Sequence, residues 1–202
     1  MIIRRETGDR DDGFTLIELV VAAALTLIVL SIVAGMMISS MNTANTVRSV
    51  TGATMDGQLV TNSIDRGIRN SQGLAIGSPA VQTPFSLTVP SGSDQLLIAR
   101  VTGSGAASTS NCAAWYFSAT AKTVRYKTFG SALTVANKPI SEPASWTLLS
   151  SGVKPISGTT IFSQNGQRLA IAFKVEAGSH PAVVFRTSSG SQTGMTGSAA
   201  CS

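Results

Sequence analysis

The sequence predicts an α+β protein in which one long amino-terminal helix, its first half a transmembrane segment, packs on an antiparallel β-sheet head. Three observations carry this reading. The apolar residues of the 202-residue chain crowd between positions 14 and 38, and only 12% of the whole chain is charged. Beyond them an apolar stripe continues at helical spacing to about residue 70. From residue 74 onward, short runs of branched and aromatic residues alternate with Gly, Pro, Ser and Asn, the composition of strands and turns.

The first element is a helix of membrane length. Residues 19–38 read LVVAAALTLIVLSIVAGMMI, with Thr26 and Ser31 as the only polar side chains. At about 1.5 Å per residue the run spans roughly 30 Å, the thickness of a bilayer's hydrocarbon core. Arg4, Arg5 and Arg10 precede it, and the next basic residue is Arg48. Basic residues beside a span stay on the cytoplasmic side, so the expectation is a single-pass chain with a cytoplasmic amino terminus and an extracytoplasmic head.

Length and flanking charge leave three fates for this end. A cleavable secretory signal would be cut near Ala34 and Gly35, but its apolar stretch should be only about 7–15 residues. An uncut anchor fits the length and leaves Glu18 unexplained, because an ionised carboxylate costs on the order of 3 kcal/mol at the centre of a bilayer. The third reading accounts for it. Gly13-Phe14-Thr15-Leu16-Ile17-Glu18, preceded by a short charged leader and followed by the apolar run, resembles the processing motif of type IV prepilins. The resemblance implies cleavage between Gly13 and Phe14 by a prepilin peptidase and N-methylation of Phe14. It also implies that Glu18 pairs with the amino terminus of a neighbouring subunit during assembly. The residue chemistry suits those roles: Gly13 offers a protease an unhindered backbone. The new amine would lie about 6 Å of helix from Glu18, whose carboxylate the helix macrodipole favours.

Past residue 38, Met41, Ala44, Val47, Met55, Leu59, Val60, Ile64 and Ile68 recur at three- and four-residue steps. The spacing predicts one helix from about 14 to about 70, near 85 Å long, ended by Ser71, Gln72 and Gly73. The alternative is a membrane helix, a flexible linker over 39–46 and a separate short helix. Glycines 52, 57 and 67 each weaken the helix by up to about 1 kcal/mol relative to alanine, so packing must hold it. Asp65 and Arg69 stand at the favourable i,i+4 spacing, and the stretch 64–70 resembles the end of this helix in minor pilins and minor type II secretion pseudopilins.

Strands are expected over 85–89, 95–101, 114–119, 123–128, 146–149, 159–163, 168–176 and 182–187, with hairpins around 120–122 and 177–181. Short turns make the sheet antiparallel, one face wet and the other covered by the helix. The division is then a leader at 1–13, a transmembrane and assembly helix at 14–38, its amphipathic continuation at 39–70 and a β-rich head at 71–202, the pilin architecture. The only two cysteines, Cys112 and Cys201, both fall in the exported part, where a disulfide is the default and two free buried thiols the alternative. Pilins often carry such a carboxy-terminal disulfide.

The head offers little for catalysis. After residue 70 the acidic residues are Asp94, Glu142 and Glu176, the one histidine is His180 before Pro181 in an expected turn, and no calcium-loop pattern appears. Metal sites and acid–base pairs need several such groups in convergence, so no enzyme, metal or cofactor is expected. Nine basic residues face those three acids. Lys122, Arg125 and Lys127, with Trp115, Tyr116 and Phe117 on the partner strand, form the one cluster where phosphate contact and base stacking could hold DNA; a solvated basic face is the plainer reading. The sequence therefore reads as a structural subunit, minor in type, of a type IV pilus, a type II secretion pseudopilus or a competence pilus. Its expected partners are prepilin peptidase, other pilin or pseudopilin subunits and the inner or cytoplasmic membrane. The alternative is a membrane-tethered or secreted binding domain that never enters a filament.

Overall fold

The computed structural model describes residues 15–72, 74–76, 81–83, 85–102, 110–130, 138–165, 167–191 and 201. Its chain divides into two units, Met1–Thr46 and Val47–Ser202. A single helix, α1 (Leu16–Arg69), runs without interruption through 39–46, so no linker breaks it. The polar residues there explain why: the hydroxyls of Thr43 and Thr46 donate to the carbonyls of Ser39 and Asn42 one turn back, at 3.0 and 2.9 Å, instead of competing for the helix's own N–H groups.

Within the second unit the chain continues as strands β1 (Ser71–Gln72), β2 (Leu74–Ile76), β3 (Val81–Thr83), β4 (Ser86–Thr88), β5 (Gln95–Thr102), β6 (Ser110–Ser118), β7 (Thr123–Phe129), β8 (Thr147–Ser151), β9 (Val153–Pro155), β10 (Phe162–Asn165), β11 (Arg168–Ala177) and β12 (His180–Gly190). They build two main antiparallel sheets rather than one. In the first, β5, β6, β7 and β8 follow one another as a meander, and β1 and β4 lie along the free side of β5. In the second, β11 is flanked by β12 on one side and by β10 and β9 on the other. β2 and β3 form a separate two-stranded ribbon. His180 and Pro181, expected in a turn, open β12; proline is tolerated there because β12 pairs only with β11 among the described strands.

Two devices join the sheets. Between β8 and β9 the chain crosses from one sheet to the other at Gly152, whose φ of 71° is in the region open to glycine, and its carbonyl accepts a 3.0 Å bond from Glu176 N–H. From β5, the buried Gln95 side chain accepts from the N–H groups of Ile161 (2.7 Å) and Phe162 (2.9 Å) through Oε1, and its Nε2 donates to the Phe162 carbonyl at 2.9 Å. One amide thus satisfies three backbone groups of the neighbouring sheet that no strand pairing reaches.

The buried face of α1 keeps Val60, Ile64 and Ile68 of the expected stripe and departs from it elsewhere. Met41, Val47, Met55 and Leu59 are exposed, whereas Ala53, Gly57, Val60, Ile64 and Ile68 are buried against Trp115, Phe117, Phe173 and their neighbours. Small side chains decide this. A methyl at Gly67 would lie 2.2 Å from the Trp115 ring, and one at Gly57 would lie 2.0 Å from the Phe185 ring, so glycine at each position is what admits an aromatic ring to the helix surface. Full burial of Val60, Ile64 and Ile68 contributes roughly 5–8 kcal/mol, more than the three glycines together cost the helix.

The first sheet also departs from the expectation of one wet face. Leu97, Ala99, Ala113, Trp115 and Phe117 face the helix side, and Leu96, Ile98, Cys112, Ala114 and Tyr116 on the opposite side are buried with Trp146 and Cys201, the half-buried Phe129 packing against them. β5 and β6 carry unbroken apolar runs instead of alternation, as strands covered on both faces do.

Candidate functional site

The start of α1 is built by Thr15. Its carbonyl accepts from the N–H groups of Glu18 (3.1 Å) and Leu19 (3.3 Å), and its Oγ1 accepts a further 3.3 Å bond from Glu18 N–H. Thr15 is therefore the N-cap and Glu18 the third helical residue, inside the turn where unpaired N–H groups concentrate positive potential. The processing motif directs attention to Gly13, Phe14 and Glu18 and passes over Thr15; the signal for it is Thr-x-x-Glu directly ahead of an apolar run. Gly13 and Phe14 lie outside the described residues.

From Leu19 to Ile38 every residue of α1 is exposed. The only two hydroxyls in this stretch are consumed within the helix: Thr26 Oγ1 donates to the Ala22 carbonyl and Ser31 Oγ to the Leu27 carbonyl, each at 2.8 Å. What remains is a continuous apolar surface with no unsatisfied polar group, the condition for a helix in lipid or among other helices.

On the head, Cys112 and Cys201 form a disulfide with their Cα atoms 5.7 Å apart, and both are buried. The bond fastens the penultimate residue of the chain to β6. The basic cluster is arranged otherwise than a nucleic-acid surface requires. Arg125 Nε donates to Glu142 Oε1 at 2.6 Å and its guanidinium also reaches the Trp146 carbonyl at 3.0 Å. Lys122, held with φ at 57° in the β6–β7 turn, lies 3.9 Å from Glu176, and Lys127 sits 5.4 Å over the Phe129 ring. Trp115, Tyr116 and Phe117 are fully buried, so the rings that would stack on bases are inside the core.

The three acids of the head serve structure as well. Asp94 accepts from Tyr116 O–H at 2.7 Å and from Ala119 N–H at 2.8 Å. Burial, reinforced by that carboxylate, pushes the Tyr116 phenol well above its ordinary range. Burial alone would raise the Glu142 carboxyl, but hydrogen bonds from Arg125 and Thr123, with the Arg125 charge, outweigh it and hold the group below its usual value. Glu176 binds Lys154. His180 pairs with Ala177 across the β11–β12 turn. Among the described residues, no three His, Cys, Asp or Glu side chains gather as metal ligands would.

Comparison with curated proteins and with solved structures finds no match. A family model, the prokaryotic N-terminal methylation motif, matches residues 9–34, so the chain carries the amino-terminal signal of a type IV pilin-like prepilin.

Proposed function

We propose that the chain is a minor structural subunit of a type IV pilus, a type II secretion pseudopilus or a competence pilus. In this reading prepilin peptidase cuts after Gly13, Phe14 is N-methylated, and residues 14–38 hold the chain in the inner or cytoplasmic membrane, head outward, until assembly. The observation that carries it is the methylation motif at 9–34 running directly into a helix whose residues 19–38 are all exposed and almost wholly apolar. Such a surface is stable only when covered, by lipid before assembly and by the helices of other subunits afterward. Glu18, in the first turn of that helix, then meets a low-dielectric surrounding where an unpaired carboxylate is costly. The amine created at Phe14 of a neighbouring subunit supplies the missing charge and sets the axial register between helices. The likeness of 64–70 to minor pilins and pseudopilins supports the minor assignment.

Mass spectrometry of the protein extracted from membranes tests the processing: the expected amino terminus is N-methylated Phe14. An intact Met1, or a terminus near Gly35, would instead establish a tethered or secreted domain outside any filament. Glu18→Val should be cut normally and fail to enter filaments, and normal incorporation of this variant would sink the role given to Glu18.

A further inference from the structure

The outward face of the second sheet carries a basic track. Along β11, Leu169, Ile171, Phe173 and Val175 are buried in the core, so Arg168, Ala170, Ala172 and Lys174 point away from it. The register sets Gly190, Ser188, Arg186 and Val184 of β12 opposite these four residues, and Lys154 of β9 opposite Lys174 on the other flank. Directly opposed residues share a face. Arg168, Arg186, Lys174 and Lys154 therefore lie on one surface separated by alanine and serine, with Glu176 the single acid in β9 through β12. Lys154 is engaged by Glu176, but Arg168 and Arg186 make no hydrogen bond or ion pair among the described residues. Each borders a concavity of about 370 Å³, Arg168 with Arg69, Gln167 and Ser188, and Arg186 with Ser157, Ala170 and Ala172.

We propose that this face binds double-stranded DNA through its phosphates. Guanidinium groups with no internal partner have their full fork of donors available for phosphate oxygens. The alanines and serines between them let a broad surface come close. Among the described residues no aromatic side chain lies on the face to stack on an unpaired base, which selects duplex over single strand. Contacts to phosphate alone make the binding independent of sequence. From Arg168 to Lys174 the track runs about 20 Å, which spans roughly six base pairs of duplex. The cluster at Lys122, Arg125 and Lys127 lacks these properties, because Arg125 is spent on Glu142 and the Trp146 carbonyl.

Titration of the full-length protein in detergent micelles against a short fluorescent duplex of arbitrary sequence tests the assignment. Three phosphate contacts predict that log K falls with log salt at a slope of about −2.7, about a 40-fold loss between roughly 50 and 200 mM. Arg168→Ser, Lys174→Ser and Arg186→Ser combined should abolish that salt-dependent binding while keeping the parent's melting midpoint. Arg168→Lys with Arg186→Lys should preserve the slope, and Lys122→Ser, Arg125→Ser and Lys127→Ser combined should leave it unchanged. Absence of binding, undiminished binding by the first triple variant, or equally tight binding of polyglutamate would overturn the proposal.

Discussion

Replacing Gly67 by alanine sets two physical effects of opposite sign against each other. In an isolated helix the change adds up to about 1 kcal/mol of stability, because glycine loses more backbone freedom on folding. Here the new methyl would stand 2.2 Å from one Trp115 ring atom and 2.7 Å from a second. The indole has little room to retreat: it is 1% exposed, tilted against Tyr126 at a centroid distance of 5.4 Å, and its Nε1 donates to Ser63 Oγ at 2.9 Å. Overpacking of this kind costs about 1–3 kcal/mol and forfeits the Trp115–Ser63 bond, about 1 kcal/mol more. The net expectation is a loss of about 2 kcal/mol, or about 4–8 °C in the melting midpoint at this chain length. Gly52 is the control, since nothing lies within 4 Å of a methyl placed there, and Gly52→Ala should stabilise by up to about 1 kcal/mol. Urea unfolding followed by tryptophan fluorescence, with circular dichroism as a second probe, reads both variants. If Gly67→Ala proves as stable as the parent or more so, the helix does not seat on Trp115 as described.

Two further outcomes follow from the head. The disulfide closes a span of 89 residues, worth about 4–5 kcal/mol against the unfolded chain in the entropic model; reduction and alkylation, or Cys201→Ser, should lower the melting midpoint by about 10 °C or more, and an unchanged midpoint with both thiols alkylated would refute that. Tyr116 is kept neutral by burial and Asp94. Above about pH 10 the unfolded chain releases a phenolic proton that the folded chain retains, so the Tyr116 contribution to stability should be flat below that pH and fall above it. Tyr116→Phe should shrink the fall, leaving the parts due to Tyr126, whose phenol burial also raises, and to Lys154, which its bond to Glu176 raises; an identical alkaline limb in the variant would remove Tyr116 from the account.

How much of this was legible in the sequence depends on how local each cause is. The strands from β4 to β8, β11 and β12 were readable because each combines branched or aromatic residues with turn residues near its ends; β10, expected at 159–163, lies at Phe162–Asn165, where only Phe162 is apolar. β1, β2, β3 and β9, of two or three residues, are too short to display any period. The division into two sheets rests on Gly152 and Gln95, single residues whose role depends on partners far along the chain. On the helix, spacing gives Val60, Ile64 and Ile68 as buried, which they are, but it also favours Met55 and Leu59, which are exposed, and passes over Gly57, where the Phe185 ring, 128 positions further on, needs the space. The methylation motif at 9–34, by contrast, is local: Gly13 to Glu18 are six consecutive residues ahead of an apolar run. Charge was legible only as a count; which basic side chains are paired follows from the placement of Asp65, Glu142 and Glu176.

The two halves of α1 consequently obey opposite rules of substitution, although both are helical and rich in apolar residues. From Leu19 to Ile38 every residue is exposed, so size is not constrained from within the chain, while a new polar group is penalised in lipid unless its hydroxyl folds back as those of Thr26 and Ser31 do. From Ala53 to Ile68 one narrow face is closed over by rings from both sheets, and there size matters more than polarity: Thr54 is tolerated with its hydroxyl bonded 2.7 Å to the Val50 carbonyl, but one carbon at Gly57 or Gly67 is too many. A sequence whose glycines weaken the helix exactly where the head grips it holds together because burial of Val60, Ile64 and Ile68 outweighs their cost. The exposed half has no such internal compensation. Under the proposed function that compensation comes from lipid and from other subunits, and the role proposed for Glu18 then falls on the first turn of the helix.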